Sequence, residues 1–567
     1  MNSVAPFLIF YAGALAAAVG RGMFRSLVML AVPLIGVFNL MTMEDVRATI
    51  QVFDYTLVVL AVDRLSMLFG YLFHLAAFLA IIYSLHVKDT TQHVAGLIYA
   101  GSAIGAVYAG DMITLFVFWE MLALSSTFLV LARQTERARR AAMRYLVIQV
   151  LSGVILMAGV LVRLHVTGSI EFGAIGLRDP YTLEGFASWL ILLAFGIKAG
   201  FPLLHNWLTD AYPEATPTGT VFLSAFTTKV AIYALARSFV GTELLVYVGV
   251  IMTMFPIFFA VIENDLRRVL SYSMINQIGF MVCGIGLGTE LAVNGAVSHA
   301  FNDVVFKGLL FMSMGAVLHR TGKINGSELG GLYKSMPKTA AFCIVGAASI
   351  SAFPLFSGFV SKSMVMVAAL QEGHPVVWLA LLFASAGVFH HAGIKIPFFA
   401  FFAHDSGIRC KEAPTNMLVA MAIAAFVCVF NGSYPWLLYG SLPFPVEYAP
   451  YTVPHVVTQV QLLAFATLAF LMLKLSGIYP PELPGVNIDA EWSYRWLLPR
   501  AARALIAAFA PVDRAVRRAF IGGVNGVIAG VVRHAGPNGV LARSLHAGDM
   551  VLWAVVLLAV YLLVYFV

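Results

Sequence analysis

Charged side chains are scarce in this chain. Of its 567 residues only 11% are Asp, Glu, Lys or Arg, while 60% are hydrophobic. Soluble domains carry about 25% charged residues. A water-soluble fold of this size would have too little polar surface to cover itself. The composition predicts an all-α, multi-pass membrane protein whose solvent is the bilayer.

Cysteine is scarce too. Cys283, Cys343, Cys410 and Cys428 form no C-x-x-C pair, and three of them lie in apolar stretches. This pattern argues against a disulfide framework and against zinc or iron–sulfur ligation, so neither metal nor cofactor is expected. The first apolar segment lacks a basic leader and reads as a membrane span rather than a cleaved signal. The net charge of +7 is what Lys- and Arg-rich cytoplasmic loops give a membrane protein. Nucleic acid is therefore not an expected partner.

A span needs about 20 apolar residues. Apolar segments run near 5–20, 24–42, 65–87, 94–110, 111–132, 141–165, 187–210 and 215–239. They continue near 243–262, 269–289, 291–318, 338–369, 377–403, 414–431, 457–477 and 549–567. The count is about 14–16 transmembrane helices. The loop after the fifth span carries Arg133, Arg137, Arg139, Arg140 and Arg144, which places it in the cytoplasm. Parity then puts Arg21, Arg25, Arg267, Arg268, Lys323, Lys334, Lys338, Arg409 and Lys411 on the same side. Segments 43–62 and 432–456 and both termini fall outside. Residues 478–548 open with Pro480, Pro481 and Pro484 and turn basic, with Arg500, Arg503, Arg514, Arg517 and Arg518. They predict an amphipathic helix on the cytoplasmic surface, followed by a last span.

Against this background, ionisable residues inside the apolar segments stand out. Each costs roughly 2.5–3.5 kcal/mol at mid-membrane on insertion scales. Glu120 lies in FVFWEM, Lys198 in FGIKAGFPLLHNW and Lys229 in AFTTKVAIYAL. Lys307 lies in SHAFNDVVFKGLLF, Lys362 in FPLFSGFVSKSMVM and Lys395 in HHAGIKIPFFAFF. Such groups avoid lipid by facing the bundle interior or a wet cavity. A row of them can pass protons through intervening water. His299, Asp303 and Lys307 stand at i, i+4 and i+8, a titratable ladder on one helix face. An Asp303–Lys307 pair within that helix is the bland reading. His205, His390 and His391 are further relay candidates.

Helix breakers fall beside these charges. Pro202 follows Lys198 by four residues, and Pro354 and Gly358 precede Lys362. Proline removes a helix hydrogen bond, and in a membrane the freed carbonyls persist only where protein or water satisfies them. Broken helices are thus expected near 198–205 and 353–362. Lys198 and Lys229 are 31 residues apart, Lys362 and Lys395 33 (229 − 198 and 395 − 362). The two pairs sit five spans apart, an odd number, which predicts inverted repeats.

Several motifs now resemble a known family. VDRLSMLFG (62–70) is similar to the aspartate-led third span of the antiporter-like subunits shared by Mrp-type Na+/H+ antiporters and respiratory complex I. GIKAGFPLLHNWLTDAYPEATPTGTVFLSAFTTKVAIYAL (196–235) resembles that family's most specific signature. SYSMINQIGFM (271–281), the segment 299–307 and FPLFSGFVSK (353–362) follow in the family's order. The resemblance covers about 60–475 and looks closest to the D-type Mrp subunit. It implies N-terminal helices over 1–93, inverted five-helix repeats over 94–240 and 241–404, and C-terminal core helices over 405–477. Residues 478–567 lie beyond that core. The resemblance further implies that Glu120, Lys198, Lys229, Lys307 and Lys362 carry protons, with His299 in the relay. Lys395 is advanced mainly from spacing. Asp303 stands where some members have a second histidine, which would tie Lys307 more strongly.

The expected function is proton translocation in a multi-subunit cation/proton antiporter of the bacterial inner membrane. The alternative is a proton-pumping membrane subunit of a complex I-like NADH–quinone oxidoreductase, or of a related respiratory or inorganic-carbon-uptake complex. Expected partners are other membrane subunits, protons, Na+ and the lipid bilayer. Two rival classes are an inert membrane scaffold and an intramembrane metalloenzyme using His205, Asp210 and Glu214. The latter spacing suits no single helix face.

Overall fold

The computed structural model describes residues 4–43, 46–483, 485, 487–543 and 546–566. Pro484 lies outside the described residues. Two compact units divide the chain, residues 1–487 and 488–567.

The first unit is helical apart from one hairpin. Helices α1 (Pro6–Val19) and α2 (Gly22–Leu40) precede strands β1 (Arg47–Val52) and β2 (Tyr55–Ala61), paired antiparallel. Then come α3 (Arg64–Ser84), α4 (Thr90–Tyr108), α5 (Met112–Leu131) and α6 (Glu136–Thr167). The seventh span is broken into α7 (Leu183–Ala199) and α8 (Asn206–Ala211). The eighth comprises α9 (Pro217–Ala225) and α10 (Thr227–Ser238), with a discontinuity at Phe226. Helices α11 (Glu243–Ile262), α12 (Leu266–Leu287) and α13 (Glu290–Thr321) follow. The twelfth span is broken into α14 (Pro337–Ile350) and α15 (Ser357–Gln371).

The next span starts as α16 (Pro375–Val388), passes through a π-helical stretch (Phe389–Ile394) and a short α17 (Lys395–Pro397), and ends in a second π stretch (Phe398–Phe402). The unit closes with α18 (Thr415–Ser433), α19 (Trp436–Gly440) and α20 (Val453–Leu475). The second unit holds the 38-residue α21 (Leu498–Ala535) and α22 (Ala547–Phe566). Among the described residues, 13 helical segments are long and apolar enough to cross a membrane, the amphipathic 493–542 stretch among them.

Matching elements recur in residues 94–404 at an offset of 154. Helices α6 and α13 are both 32 residues long and begin at Glu136 and Glu290. The isolated bridges Asp111–Glu171 and Asp265–Asn325 share that offset (265 − 111 and 325 − 171). Asp111 and Asp265 each cap the following helix by accepting from its first backbone N–H groups. The two breaks, 152 residues apart (352 − 200 and 355 − 203), match in shape. Gly200 and Leu203 have φ of 81° and 69°, and Ala352 and Leu355 have 57° and 73°. FPLL and FPLF occupy the two breaks. Left-handed backbone at three non-glycine positions is costly and persists only where the surroundings enforce it.

Basic residues distant in sequence meet. Arg133, after α5, and Arg267, in the first turn of α12, both donate to the carbonyl of Pro213, at 2.7 and 3.0 Å. Arg267 is buried and also donates to Ala215 O (3.0 Å) and Thr216 O (3.2 Å). It thereby satisfies the turn between α8 and α9. Asp405 ties Lys334 to Arg409 at 2.8 and 2.7 Å. Segment 43–62, expected only as an external loop, instead forms the hairpin. Asp111 anchors it by accepting from Val58 N at 2.7 Å.

Arg267→Ala leaves several buried carbonyls without a donor and should destabilise the detergent-purified protein by about 3 kcal/mol. Thermal unfolding should show this as a lowered Tm. Arg267→Lys should recover only part of the loss, because an ammonium lacks the guanidinium fork.

Candidate functional site

Five lysines predicted from the sequence are buried: Lys198, Lys229, Lys307, Lys362 and Lys395. Three of them point their ammonium at a helix C-terminus. Lys229 donates to Ser224 O in the last turn of α9 (3.4 Å). Lys362 donates to Ile350 O, the last residue of α14 (3.0 Å). Lys395 donates to Val261 O and Glu263 O at the end of α11, both at 2.6 Å. The last carbonyls of a helix lack intrahelical donors and carry about half a negative charge. They therefore suit an ammonium.

Lys198 is held differently. It donates to the carbonyl of Trp119 at 2.5 Å and lies 4.4 Å from the centre of that indole ring. Trp119 is fixed in turn, donating from Nε1 to Ser152 Oγ (3.0 Å), which donates to Ala194 O (2.8 Å). Glu120, the next residue, is half-buried, and its Oε1 has no hydrogen-bond partner. The carboxylate occupies space over Gly153 of α6 that any Cβ would take. At the nearby break, Trp207 Nε1 donates to Ile197 O (2.8 Å), satisfying a freed carbonyl of α7.

The His299–Asp303–Lys307 ladder does share one face of α13, but its members reach different neighbours. Asp303 pairs with Lys229 of α10 at 2.6 Å, and both side chains are fully buried. The expected Asp303–Lys307 contact gives way to this one. Lys307 donates to Ser273 Oγ of α12 (2.8 Å). His299 lies between Gln277 Oε1 (3.1 Å from Nε2) and Ser361 Oγ (3.0 Å from Nδ1), next to Lys362 in sequence. An amide carbonyl only accepts, so Nε2 carries the proton in this arrangement.

Lys395 sits apart from Lys362. Its ion-pair partner is Glu482, at 2.9 Å, on the segment after α20. Glu263 is nearby, fixed by Asn264 N (2.9 Å), Asp265 N (3.1 Å) and Asn487 Nδ2 (3.1 Å). Sequence reading missed Glu482, because it lies in an irregular proline-rich stretch with no helical period to mark it.

The metalloenzyme residues are engaged in ion pairs. Asp210 takes a bidentate grip from Arg144 at 2.8 and 3.0 Å, and Glu214 pairs with Arg133 at 3.6 Å. His205 packs against Phe255 with the rings tilted, centroids 4.6 Å apart.

Among the described residues, several buried polar atoms lack protein partners. They include both amide atoms of Gln149 and of Asn206, and Thr228 Oγ1 next to Lys229. In native interiors such atoms bind water.

A membrane-spanning helical bundle with a charged, polar interior defines this protein as a multi-pass membrane protein of the antiporter-like class. Residues 109–388 match the NADH:quinone oxidoreductase/Mrp antiporter transmembrane family. Hydrogenase-4 component B of Escherichia coli (strain K12) is 30% identical over 381 residues, 60% of this chain and 56% of its own length. The A-type subunit of the Na(+)/H(+) antiporter of Alkalihalophilus pseudofirmus is 31% identical over 426 residues, 66% of this chain and 52% of its own. The match therefore spans little more than half of either relative. The D-type component of the same antiporter is 29% identical over 338 residues, 57% of this chain and 67% of its own. The fold is similar to a chain of the Mrp complex from Dietzia sp. DQ12-45-1b, with TM-score 0.66, 21% identity and 76% of this chain and 91% of that one covered. It is also similar to a chain of the archaeal membrane-bound sulfane sulfur reductase, with TM-score 0.72, 22% identity and 98% and 99% covered.

Asp303→Asn should leave Lys229 buried without its counter-ion, a loss of about 3–5 kcal/mol. Removing both charges, as Lys229→Met with Asp303→Leu, should restore most of the stability. Unfolding of the purified variants checks both outcomes.

Proposed function

We propose that this chain is the proton-translocating subunit of a multi-subunit cation/proton antiporter, similar to the D-type Mrp component, in a bacterial inner membrane. The observation that carries this reading is the succession of buried ammoniums from Lys198 through Lys229 and Lys307 to Lys362, interspersed with polar atoms that call for water. The 154-residue correspondence supports two five-helix repeats, 94–240 and 241–404, inverted with respect to each other because an odd number of spans separates them.

In this mechanism Glu120 and Lys198 form the switch of the first half-channel. When the Glu120 carboxylate approaches Lys198, the protonated amine is favoured. When it swings back over Gly153, the ammonium loses its counter-charge and releases its proton toward Lys229 through water. Asp303 steadies the ammonium of Lys229, and Ser273 orients Lys307. The His299–Ser361 contact links this centre to Lys362, from which the proton leaves toward the periplasm. The protein works with other membrane subunits that supply the coupling, and Na+ is the exchanged ion of this reading.

A second reading is a proton-pumping subunit of a complex I-like or related respiratory or carbon-uptake assembly. The relationship to hydrogenase-4 component B favours it, as does a fold likeness to the sulfane sulfur reductase chain that extends over nearly the whole length. The partners that copurify in mild detergent decide between the two.

Lys198→Ala in the reconstituted native complex should abolish proton transport; near-normal exchange would reject the mechanism. Glu120→Gln should weaken transport and shift its pH optimum. Gly153→Ala, which displaces the carboxylate without removing it, should reproduce the slowing while the complex still assembles. Dye-reported proton flux in proteoliposomes measures all three.

A further inference from the structure

We propose that Lys395 and Glu482 form a second proton port, opening on the Arg-rich side of the membrane and joined to the central lysines through His391. The proposal rests on the proton-translocation reading above and extends it to a branch outside the Glu120–Lys362 row.

Four observations carry it. First, Lys395 and Glu482 are a buried ion pair at 2.9 Å, next to the end of α11 where the basic Arg267 and Arg268 begin α12. They lie on the side that parity assigns to the cytoplasm, opposite to the outlet from Lys362. Secondly, Glu482 is not saturated. Glu263 beside it is fixed by backbone N–H groups, whereas among the described residues Glu482 has no hydrogen-bond donor besides the Lys395 ammonium. A carboxylate with open acceptor sites can take a proton.

Thirdly, His391 is fully buried, stands four residues before Lys395, and among the described residues neither ring nitrogen has a hydrogen-bond partner of good geometry. It lies in the π-helical stretch, which packs against α12 and α14. π-Bulges recur at functional sites because they re-aim side chains and free backbone groups. Fourthly, a route to water is at hand. Lys474 is exposed at the end of α20, 5.2 Å and 5.4 Å from the ring centres of Phe399 and of Tyr479, three residues before Glu482.

The proton count closes. The Lys395 ammonium gives its proton to the Glu482 carboxylate, leaving a neutral amine and a carboxylic acid. The acid passes the proton to water near Lys474. The amine is reprotonated through His391, which takes a proton from Lys307 on one ring nitrogen and gives one up from the other. Each step is reversible, so the same groups serve for uptake.

The competing explanation is a purely structural ion pair, and charge removal separates the two. Removing one partner of a structural pair harms the protein, and removing both is close to neutral. The test uses Glu482→Gln, Lys395→Gln and the double variant in the native complex, with proton flux measured in proteoliposomes and assembly scored by copurification. The port predicts that the double variant assembles yet conducts about tenfold less or worse, like the singles. Glu482→Asp should recover part of the flux. Parent-like flux in the double variant or in Glu482→Gln would overturn the port. His391→Leu provides an independent arm: assembly should persist and flux should fall, and undiminished flux would also overturn the proposal. Lys198→Ala run alongside keeps the failures distinct. If Lys198→Ala conducts normally, the translocation reading itself fails; if it is dead while Glu482→Gln is normal, only the port fails.

Discussion

The structure turns on how an ammonium group is kept inside a membrane. Burying one without compensation is prohibitive, and a full-time carboxylate partner would make it reluctant to give up its proton. This chain uses helix ends as well. Lys229, Lys362 and Lys395 each meet the open carbonyls of a helix that stops within the bundle. Those carbonyls offer partial negative charge fixed in place, enough to hold an ammonium and little enough to let it go. The end of α14 that meets Lys362 lies at a break marked by Pro354 and left-handed backbone, whereas α9 ends at the Phe226 discontinuity and α11 at the turn into α12.

Two of these lysines also have a carboxylate, and in each case it comes from another element. Asp303 of α13 reaches Lys229 of α10. Glu482 reaches Lys395 from the segment after α20. Movement of α13 against α10, or of that segment against the bundle, would change the charge seen by a lysine without moving the lysine itself. Glu120 shows the same economy on a smaller scale. Its neighbour supplies the carbonyl that holds Lys198, and the absent side chain of Gly153 gives the carboxylate room to withdraw.

Much of this was legible in the sequence because the bilayer makes charge so conspicuous. Each buried lysine interrupts an apolar run, so all five could be found without a structure. FPLL and FPLF marked both breaks. What the sequence left open were partners. Asp303 lies four residues from Lys307 on one helix, yet which residue it touches depends on how α13 faces α10, and no local pattern carries that. Glu482 sits in an irregular stretch where neither helical nor strand period operates. The hairpin at 47–61 and the π stretch around His391 were missed for a related reason. Both arise from packing against neighbours, the first on Asp111 and the second on α12 and α14.

The central claim is that these ammoniums share one hydrated interior. A cryo-electron map of the native assembly, fine enough to reveal ordered water, addresses it directly. The account predicts waters bridging Lys198, Lys229, Lys307 and Lys362, bound at Gln149, Asn206 and Thr228. A dry interior, with the ammoniums isolated from one another by packed side chains, would contradict it.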